Sequence, residues 1–171
     1  MEAPSGAAAV RVATSRSRPR TSMGSAGRPV LLATLGVPLD PKATAFAVDS
    51  AVEAGRELIV VNVTVLEPLG LSMILGYDAL PEFTPEVSSS LEGSAELARS
   101  LGVRVERLRI RSPRPVDALV QLADERRPGV LVFGPERSAM PPRRYRRALR
   151  AVLERAACLV WVPPGAAAAA S

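Results

Sequence analysis

Residues 134–148 hold the densest set of side chains that could bind a ligand. Five arginines stand there, namely Arg137, Arg143, Arg144, Arg146 and Arg147. A guanidinium group binds phosphate and carboxylate oxygens through paired hydrogen bonds, so this set fits an anion such as a phosphate, an acidic protein or a nucleic-acid backbone. The same set is also typical of a solvated face in an arginine-rich chain. The residue types leave both interpretations open.

Most of the side chains that enzymes use for catalysis are missing. The chain has no histidine, which excludes histidine triads, imidazole general bases and zinc sites that contain histidine. Its one cysteine, Cys158, excludes an internal disulfide and is predicted to be a buried, inert thiol. The aspartates stand where helix caps or solvated helix faces are expected: Asp40, Asp49, Asp78, Asp117 and Asp124. We therefore expect a protein that is not an enzyme and binds no metal.

The net charge of +5 is concentrated near the N-terminus. Residues 1–29 contain five arginines and one acidic residue, Glu2, so they carry +4 and leave +1 for the rest. Tyr145 lies among the later arginines and could stack on a base, but aromatic residues make up only 4% of the chain, too few for a stacking platform. We do not expect nucleic acid to be a partner.

Composition divides the chain into a domain and two tails. Residues 1–28 are rich in Ala, Ser, Arg, Pro and Gly without periodicity, which predicts a disordered basic tail. Residues 29–163 are the predicted domain, and residues 164–171 are a disordered, alanine-rich tail. No apolar run approaches the roughly 18 residues of a membrane span, and the start lacks the apolar core of a signal peptide. A cytoplasmic protein without membrane contact is predicted.

Short apolar runs alternate with helical patterns throughout the domain. Strands are predicted at 30–35, 58–65, 103–110, 130–133 and 158–162, and helices at 41–54, 85–101, 116–126 and 142–156. This order predicts an α/β fold: a single doubly wound domain with a five-stranded, mostly parallel sheet and four helices. Ligands of such sheets bind beyond the carboxyl ends of the strands, close to helix N-termini. The loop after 130–133 therefore lies at the expected ligand-binding edge.

Two of the segments have a less regular pattern. The strand at 103–110 alternates apolar and charged residues, which is typical of an edge strand with one wet face. The segment 66–83 is too apolar for a solvated loop and is predicted to pack across the end of the sheet or against a partner.

Several motifs, taken in their order and spacing, resemble the universal stress proteins over residues 29–163. They are LGVRVE at 101–106, PVDALVQLA from Pro115, GVLVFG from Gly129 and ERAACLVWVP from Glu154. The resemblance implies a small five-stranded domain related to the adenine nucleotide hydrolase-like folds. It also implies a homodimer, frequently formed through the last strand, which here brings Val160 or Trp161 near the contact.

The same resemblance locates a nucleotide site. Nucleotide-binding members carry Gly, two residues, Gly, nine residues, then Gly and Ser or Thr, because glycines let the backbone approach phosphates and a hydroxyl binds their oxygens. The corresponding positions are Gly134, Arg137, Arg147 and Ala148, of which only the first matches. Those members also have an Asp after the first strand, where this chain has Leu35 followed by Gly36. The end of their second strand lines the adenine pocket, and Val63 is the nearest counterpart.

The altered motif predicts a universal stress protein-like, non-enzymatic regulatory or interaction module without family-type ATP binding and without a cofactor. The alternative is an ATP-binding stress protein, in one version a slow ATP hydrolase, in which arginines have taken over the phosphate contacts. A third hypothesis is an anion or nucleic-acid accessory protein that uses the basic tail at 1–28.

Overall fold

The computed structural model describes residues 27–66 and 85–164, together with the backbone of a two-residue strand at Val10–Arg11. The elements are β1 (Val10–Arg11), β2 (Val30–Thr34), α1 (Pro41–Ala54), β3 (Leu58–Val65), α2 (Pro85–Ser100), β4 (Val105–Ser112), α3 (Pro115–Arg126), β5 (Val130–Phe133), a short 3-10 turn (Arg137–Ala139), α4 (Pro142–Arg155) and β6 (Leu159–Trp161). The predicted alternation of five main strands with four helices is confirmed. Most of both predicted tails and of the segment 66–83 lies outside the described residues.

The strands form one sheet in the order β1-β4-β3-β2-β5-β6. Strands β2 to β6 are all parallel to one another, so the predicted doubly wound α/β fold is confirmed. The alternating pattern of 103–110 predicts an edge strand, and this is wrong: β4 is the outermost parallel strand, but β1 pairs with its other side. The additional strand β1 pairs antiparallel with β4, with Val10 opposite Arg111. The sequence did not predict it, because two residues are too few to show periodicity.

Local signals set the limits of α1. The carboxylate of Asp40 accepts hydrogen bonds from the amides of Lys42 at 2.8 Å and Ala43 at 3.3 Å, and Pro41 occupies the first helical position. Gly55 ends the helix in the left-handed conformation at φ 59°. Both ends agree with the helix predicted at 41–54.

Apolar side chains cover both faces of the sheet. Because successive residues of a strand point to opposite faces, β3 contributes Ile59, Val61 and Val63 to one core and Leu58 and Val60 to the other. The first core lies against α3 and α4, and the second lies against α1 and α2. Burial on both faces accounts for the continuous apolar runs of the central strands.

The strand order reverses next to β2. From β2 the chain builds β3 and β4 on one side of the sheet, and then crosses to form β5 and β6 on the other. Such a switch point opens a crevice beyond the carboxyl ends of the two central strands, here β2 and β5. The loops that follow β2 and β5 meet there.

Candidate functional site

Gly134, the first residue after β5, is held in place by packing. A Cβ atom at this position would lie 2.6 Å from the Cβ of Ala43 in the first turn of α1, which is closer than two carbon atoms can approach. A glycine is therefore required for α1 to lie against the end of β5. This packing gives the first glycine of the motif a structural role that does not depend on a nucleotide.

Backbone hydrogen bonds join the two loops of the switch point. The amide of Asp40 donates to the carbonyl of Gly134 at 2.8 Å, and the amide of Glu136 donates to the carbonyl of Pro38 at 2.9 Å. Leu39 and Pro135 form an isolated antiparallel bridge between them. The loops thus close part of the crevice by binding each other.

The loop between β5 and α4 has few amide groups left for a ligand. Four of its amides donate to backbone carbonyls, those of Gly134, Glu136, Ala139 and Met140. Two further loop positions, Pro135 and Pro141, are prolines and have no amide hydrogen, and neither does Pro142 at the start of α4. A phosphate cradle made of backbone amides needs several free donors that converge on one point. This loop does not provide them.

The predicted site residues of β2 and β3 lie mainly in the core. Leu35 is buried, and Gly36 adopts a φ of 75° and donates its amide to Oδ1 of Asn62 at 2.9 Å. Val63 is buried in the core on the side of α3 and α4. Asn62, which the sequence analysis did not select, holds the loop after β2, although its amide nitrogen has no hydrogen-bond partner within the described ranges.

Arg137 lies on the 3-10 turn with its guanidinium carbon 5.6 Å from the ring centre of Tyr145. Tyr145 is only 2% exposed, and its ring centre lies 6.0 Å from that of Phe133. Burial raises the pKa of the Tyr145 hydroxyl, although the nearby Arg137 charge opposes the shift. Tyr145 is a core residue and is not available to stack on a base.

An open cleft of about 560 Å³ lies at the carboxyl end of the sheet, between the start of α3 and one side of α4. Its lining includes the buried residues Leu35 and Ala148 and the half-exposed Val65 at the end of β3. Of the predicted site residues, the cleft brings together Leu35, Arg147 and Ala148, whereas Gly36, Val63, Gly134 and Arg137 do not line it.

The arginines of 137–147 do not form one cluster. Arg144 and Arg147 line the cleft, together with Arg114 and Arg155. A second cavity of about 520 Å³ is lined by Arg137 and Arg146, with Ser138, Pro142 and Tyr145. Arg143 is exposed and lines neither cavity. Helical periodicity separates these side chains, because neighbouring residues point about 100° apart around the axis.

An ion pair connects the two helices that border the cleft. A guanidinium nitrogen of Arg155 donates to the carboxylate of Asp117 in the first turn of α3, and a nitrogen of Arg114 lies 4.0 Å from the other carboxylate oxygen. The sequence alone places Asp117 at a helix cap or on a solvated face and gives no sign of a role for Arg114 or Arg155. No local pattern links positions 117 and 155, which lie on different helices of the same face.

Other classes of site find little support in the described part of the chain. Within 27–66 and 85–164 no three His, Cys, Asp or Glu side chains group as metal ligands would. None of the helices described there is both long and apolar enough to cross a membrane. Cys158 is half-buried rather than fully buried, and burial together with the Asp124 charge raises the pKa of its thiol. A thiol with a raised pKa is a weak nucleophile at neutral pH.

The fold and the site define a small, doubly wound α/β domain whose candidate site lies at the carboxyl ends of its strands. The family model of the universal stress protein family matches residues 27–164. The chain belongs to the universal stress protein family, and the resemblance noted in the sequence is thereby confirmed. No curated protein sequence matches the chain significantly.

Solved structures of universal stress proteins have the same fold. One from Burkholderia pseudomallei superposes with a TM-score of 0.60 at 19% identity, over 83% of this chain and 100% of that chain. One from Archaeoglobus fulgidus, in complex with dAMP, gives a TM-score of 0.56 at 21% identity, over 80% and 97% of the two chains. A third, in complex with cAMP, gives 0.55 at 22% identity, over 81% and 97%.

Proposed function

We propose that this universal stress protein is a non-enzymatic regulatory or interaction module that does not bind ATP or other nucleotides in the manner of the family motif. The observation that carries the proposal is the loop between β5 and α4. Four of its amides are bonded to backbone carbonyls and two of its positions are prolines, so the loop has few amides left to form a cradle for a nucleotide phosphate.

The motif residues beyond the loop support the same proposal. Arg147 takes the position of a glycine, which places a long side chain where the backbone of a nucleotide-binding member would approach a phosphate. Ala148 has no hydroxyl and is buried against the core. Leu35 is apolar where those members have an Asp. None of these side chains offers the polar contacts that the motif supplies.

A non-enzymatic role is supported by the side chains themselves. The whole chain lacks histidine, and its thiol at Cys158 has a raised pKa. The aspartates Asp40 and Asp117 are occupied as a helix cap and as an ion-pair partner. General-base or nucleophilic catalysis needs an activated side chain that is not engaged elsewhere, and these residues do not supply one.

Nucleotide binding is the main competing function, since universal stress proteins have been solved with dAMP and with cAMP. Thermal unfolding of the full chain with millimolar dAMP, cAMP or AMP distinguishes the two. A ligand present at a hundred times its Kd adds about 2.7 kcal/mol to the free energy of unfolding, which raises Tm by several degrees. We expect no shift with any of the three, and a saturable shift would contradict the proposal.

A variant tests the physical reason. In the triple variant Arg137→Gly, Arg147→Gly, Ala148→Ser the motif is restored, but the prolines and the bonded amides of the loop are unchanged. We expect this variant also to show no shift with dAMP. A gain of binding would mean that the side chains, and not the loop, had prevented it.

The proposal includes a homodimer in the cytoplasm. β6 is the edge strand of the sheet, with one side unpaired in the monomer, and its Leu159 side chain is 69% exposed. Trp161 of this strand stacks on Phe46 of α1, with ring centres 4.2 Å apart. An exposed apolar edge of this kind favours pairing with a second copy. The cytoplasmic location is part of the proposal and is tested by cell fractionation.

A further inference from the structure

We propose that the outer edge of β4 binds an extended, acidic segment of a partner protein, which joins the sheet as an antiparallel strand. The inference rests on the proposed function, because it names the kind of partner that the interaction module takes. This edge lies on the opposite side of the sheet from β6, and β3 separates it from the crevice beside β2 and β5.

The backbone of β4 is only partly paired on its outer side. On its inner side β4 pairs with β3 over its whole length. On its outer side the described residues pair with it only at Ile110 and Arg111, opposite the two residues of β1. The outer side of residues 105–109 has no strand beside it in the described part of the chain. Such an edge accepts a further strand, and β1 shows that a strand in this place runs antiparallel.

Three arginines lie on one face of this edge. Because alternate residues of a strand point to the same face, Arg107, Arg109 and Arg111 all point to the side of α2. Arg107 is exposed, and its guanidinium group lies 3.8 Å from the carboxylate of Glu92 on α2, so a carboxylate can reach this row. Opposite charges on directly opposed residues of neighbouring strands attract each other. The row therefore favours acidic residues at every second position of an added strand.

The other face of the edge is mainly apolar. Leu108 and Ile110 pack on the core that lies against α3 and α4. Glu106, further along the same face, accepts hydrogen bonds from two nitrogens of Arg126, each at 2.8 Å, and this pairing offsets its charge. An apolar residue beside Leu108 or Ile110 would extend the core. The segment that fits the edge therefore alternates acidic and apolar residues, with the acidic ones opposite the arginines.

The chain's own residues at this edge have the opposite pattern. The apolar Val10 lies opposite Arg111, and the basic Arg11 lies opposite Ile110. Residues 1–29 as a whole carry a net charge of +4, which the arginines of β4 repel. β1 is therefore a weak occupant of the edge, and the acidic strand displaces it.

The first test is fluorescence anisotropy of the labelled peptide EVEVETV with the full chain. In the antiparallel register of β1 its three glutamates face Arg111, Arg109 and Arg107, and we expect one site per chain. In Arg107→Gln, Arg109→Gln we expect about a tenfold loss of affinity, because two cross-strand charge pairs are removed. The control Arg143→Gln, Arg146→Gln removes the same charge from exposed positions of α4, and its affinity should change by no more than about twofold. Absence of binding, or equal losses in the two variants, would overturn the proposal.

N-methyl groups on the peptide test the strand pairing itself, with wild-type protein and unchanged charges. In an antiparallel pair the amides of alternate residues point to the neighbouring strand. Of two peptides, one N-methylated at its odd and one at its even positions, only one should lose binding. Equal effects of the two would overturn the proposal and indicate a general site for polyanions, such as a nucleic-acid backbone.

Val10→Pro, Arg11→Pro tests the displacement of β1, because proline has no amide hydrogen to donate. We expect the full chain with these two substitutions to bind the peptide at least about threefold more tightly, since the edge is occupied less often. An affinity that does not rise would overturn the displacement.

The outcomes for the edge and for the proposed function are distinguishable. A peptide that does not bind would refute the edge site and leave the thermal unfolding result with nucleotides as it is. A shift of Tm with dAMP would contradict the proposed function and leave peptide binding as it is.

Discussion

Gly134 and Ala43 approach each other so closely that a Cβ atom on the glycine would lie 2.6 Å from the Cβ of the alanine. The contact joins the end of β5 to the first turn of α1. It makes a glycine of the nucleotide motif a packing residue in this chain. The position is therefore retained for a reason that does not require a nucleotide.

Gly134→Ala is expected to destabilise the domain by about 1–3 kcal/mol, because α1 must move away from the sheet to admit the methyl group. Gly93→Ala is the matched control, since Gly93 lies on α2 and an added Cβ there meets no atom within 4 Å. That control should stabilise the protein by about 0.5–1 kcal/mol through helix propensity. Urea unfolding measures both. Equal effects of the two substitutions would refute the packing argument.

Tyr145→Phe is expected to raise the free energy of unfolding by about 1 kcal/mol at pH 8. The buried hydroxyl has no hydrogen-bond partner among the described residues, so the wild type bears a desolvation cost that phenylalanine avoids. Phe133 and the surrounding core should keep their packing, because the ring itself is unchanged. Urea unfolding of the two proteins tests this, and a variant less stable than the wild type would show that the hydroxyl is bonded.

The same pair of proteins should respond differently to alkaline pH. Burial raises the folded-state pKa of Tyr145 above the unfolded value of about 10, so the unfolded chain loses the hydroxyl proton first. The free energy of unfolding of the wild type is therefore unaffected by this group below pH 10 and falls as the pH rises through the folded-state pKa. The Tyr145→Phe variant has no hydroxyl at this position, so its free energy of unfolding does not fall for this reason. We expect its stability advantage over the wild type to grow between pH 8 and pH 10.5. An advantage that stays constant over this range would mean that the hydroxyl titrates alike in both states.

Leu159→Glu is expected to abolish the proposed homodimer, because a charge on the exposed edge strand β6 opposes strand pairing. Leu101→Glu is the control. Leu101 is also an exposed leucine, with 52% of its surface exposed against 69% for Leu159. It follows α2 and lies near the side of the sheet away from β6. Light scattering at tens of micromolar should give a dimer for the wild type and Leu101→Glu and a monomer for Leu159→Glu. A monomeric wild type would disprove the dimer.

Arg127→Gly is expected to stabilise the domain by about 0.5–1 kcal/mol. Arg127 ends α3 with a φ of 47°, and it is the one non-glycine residue with positive φ within the described ranges. Side chains with a Cβ are disfavoured in this conformation, and glycine is not. Arg127→Val should have the opposite effect, because β-branched residues tolerate positive φ least. Thermal unfolding of both variants measures the change in stability relative to the wild type. This change must be positive for Arg127→Gly and negative for Arg127→Val.

Much of the fold could be predicted from the sequence, because the signals are local. The apolar runs at 58–65 and 130–133 identify buried parallel strands, and Asp40 with Pro41 marks the start of α1. These features depend on neighbours within a few residues of the chain. The two-residue strand β1 has no such signal, since its pairing with β4 joins segments that are about 100 residues apart.

The candidate site was only partly predictable. The family motif identifies positions by their spacing, and three of these, Leu35, Arg147 and Ala148, line the cleft. Spacing does not show that Arg144 and Arg147 face one cavity while Arg146 faces another. It also does not show that Tyr145, between these arginines, is buried in the core.

The sequence by itself determined the class of the domain and its chemical limits: alternating strands and helices, no histidine and a single thiol. Only the tertiary structure decided the role of each charged residue near the site. The strand order brings the start of α3 beside α4, so that Asp117 pairs with Arg155 and the arginines of both helices border one cleft. Hydrophobic periodicity and helix caps depend on residues within one element. A cleft depends on how separate elements pack against each other, and no local sequence pattern indicates that packing.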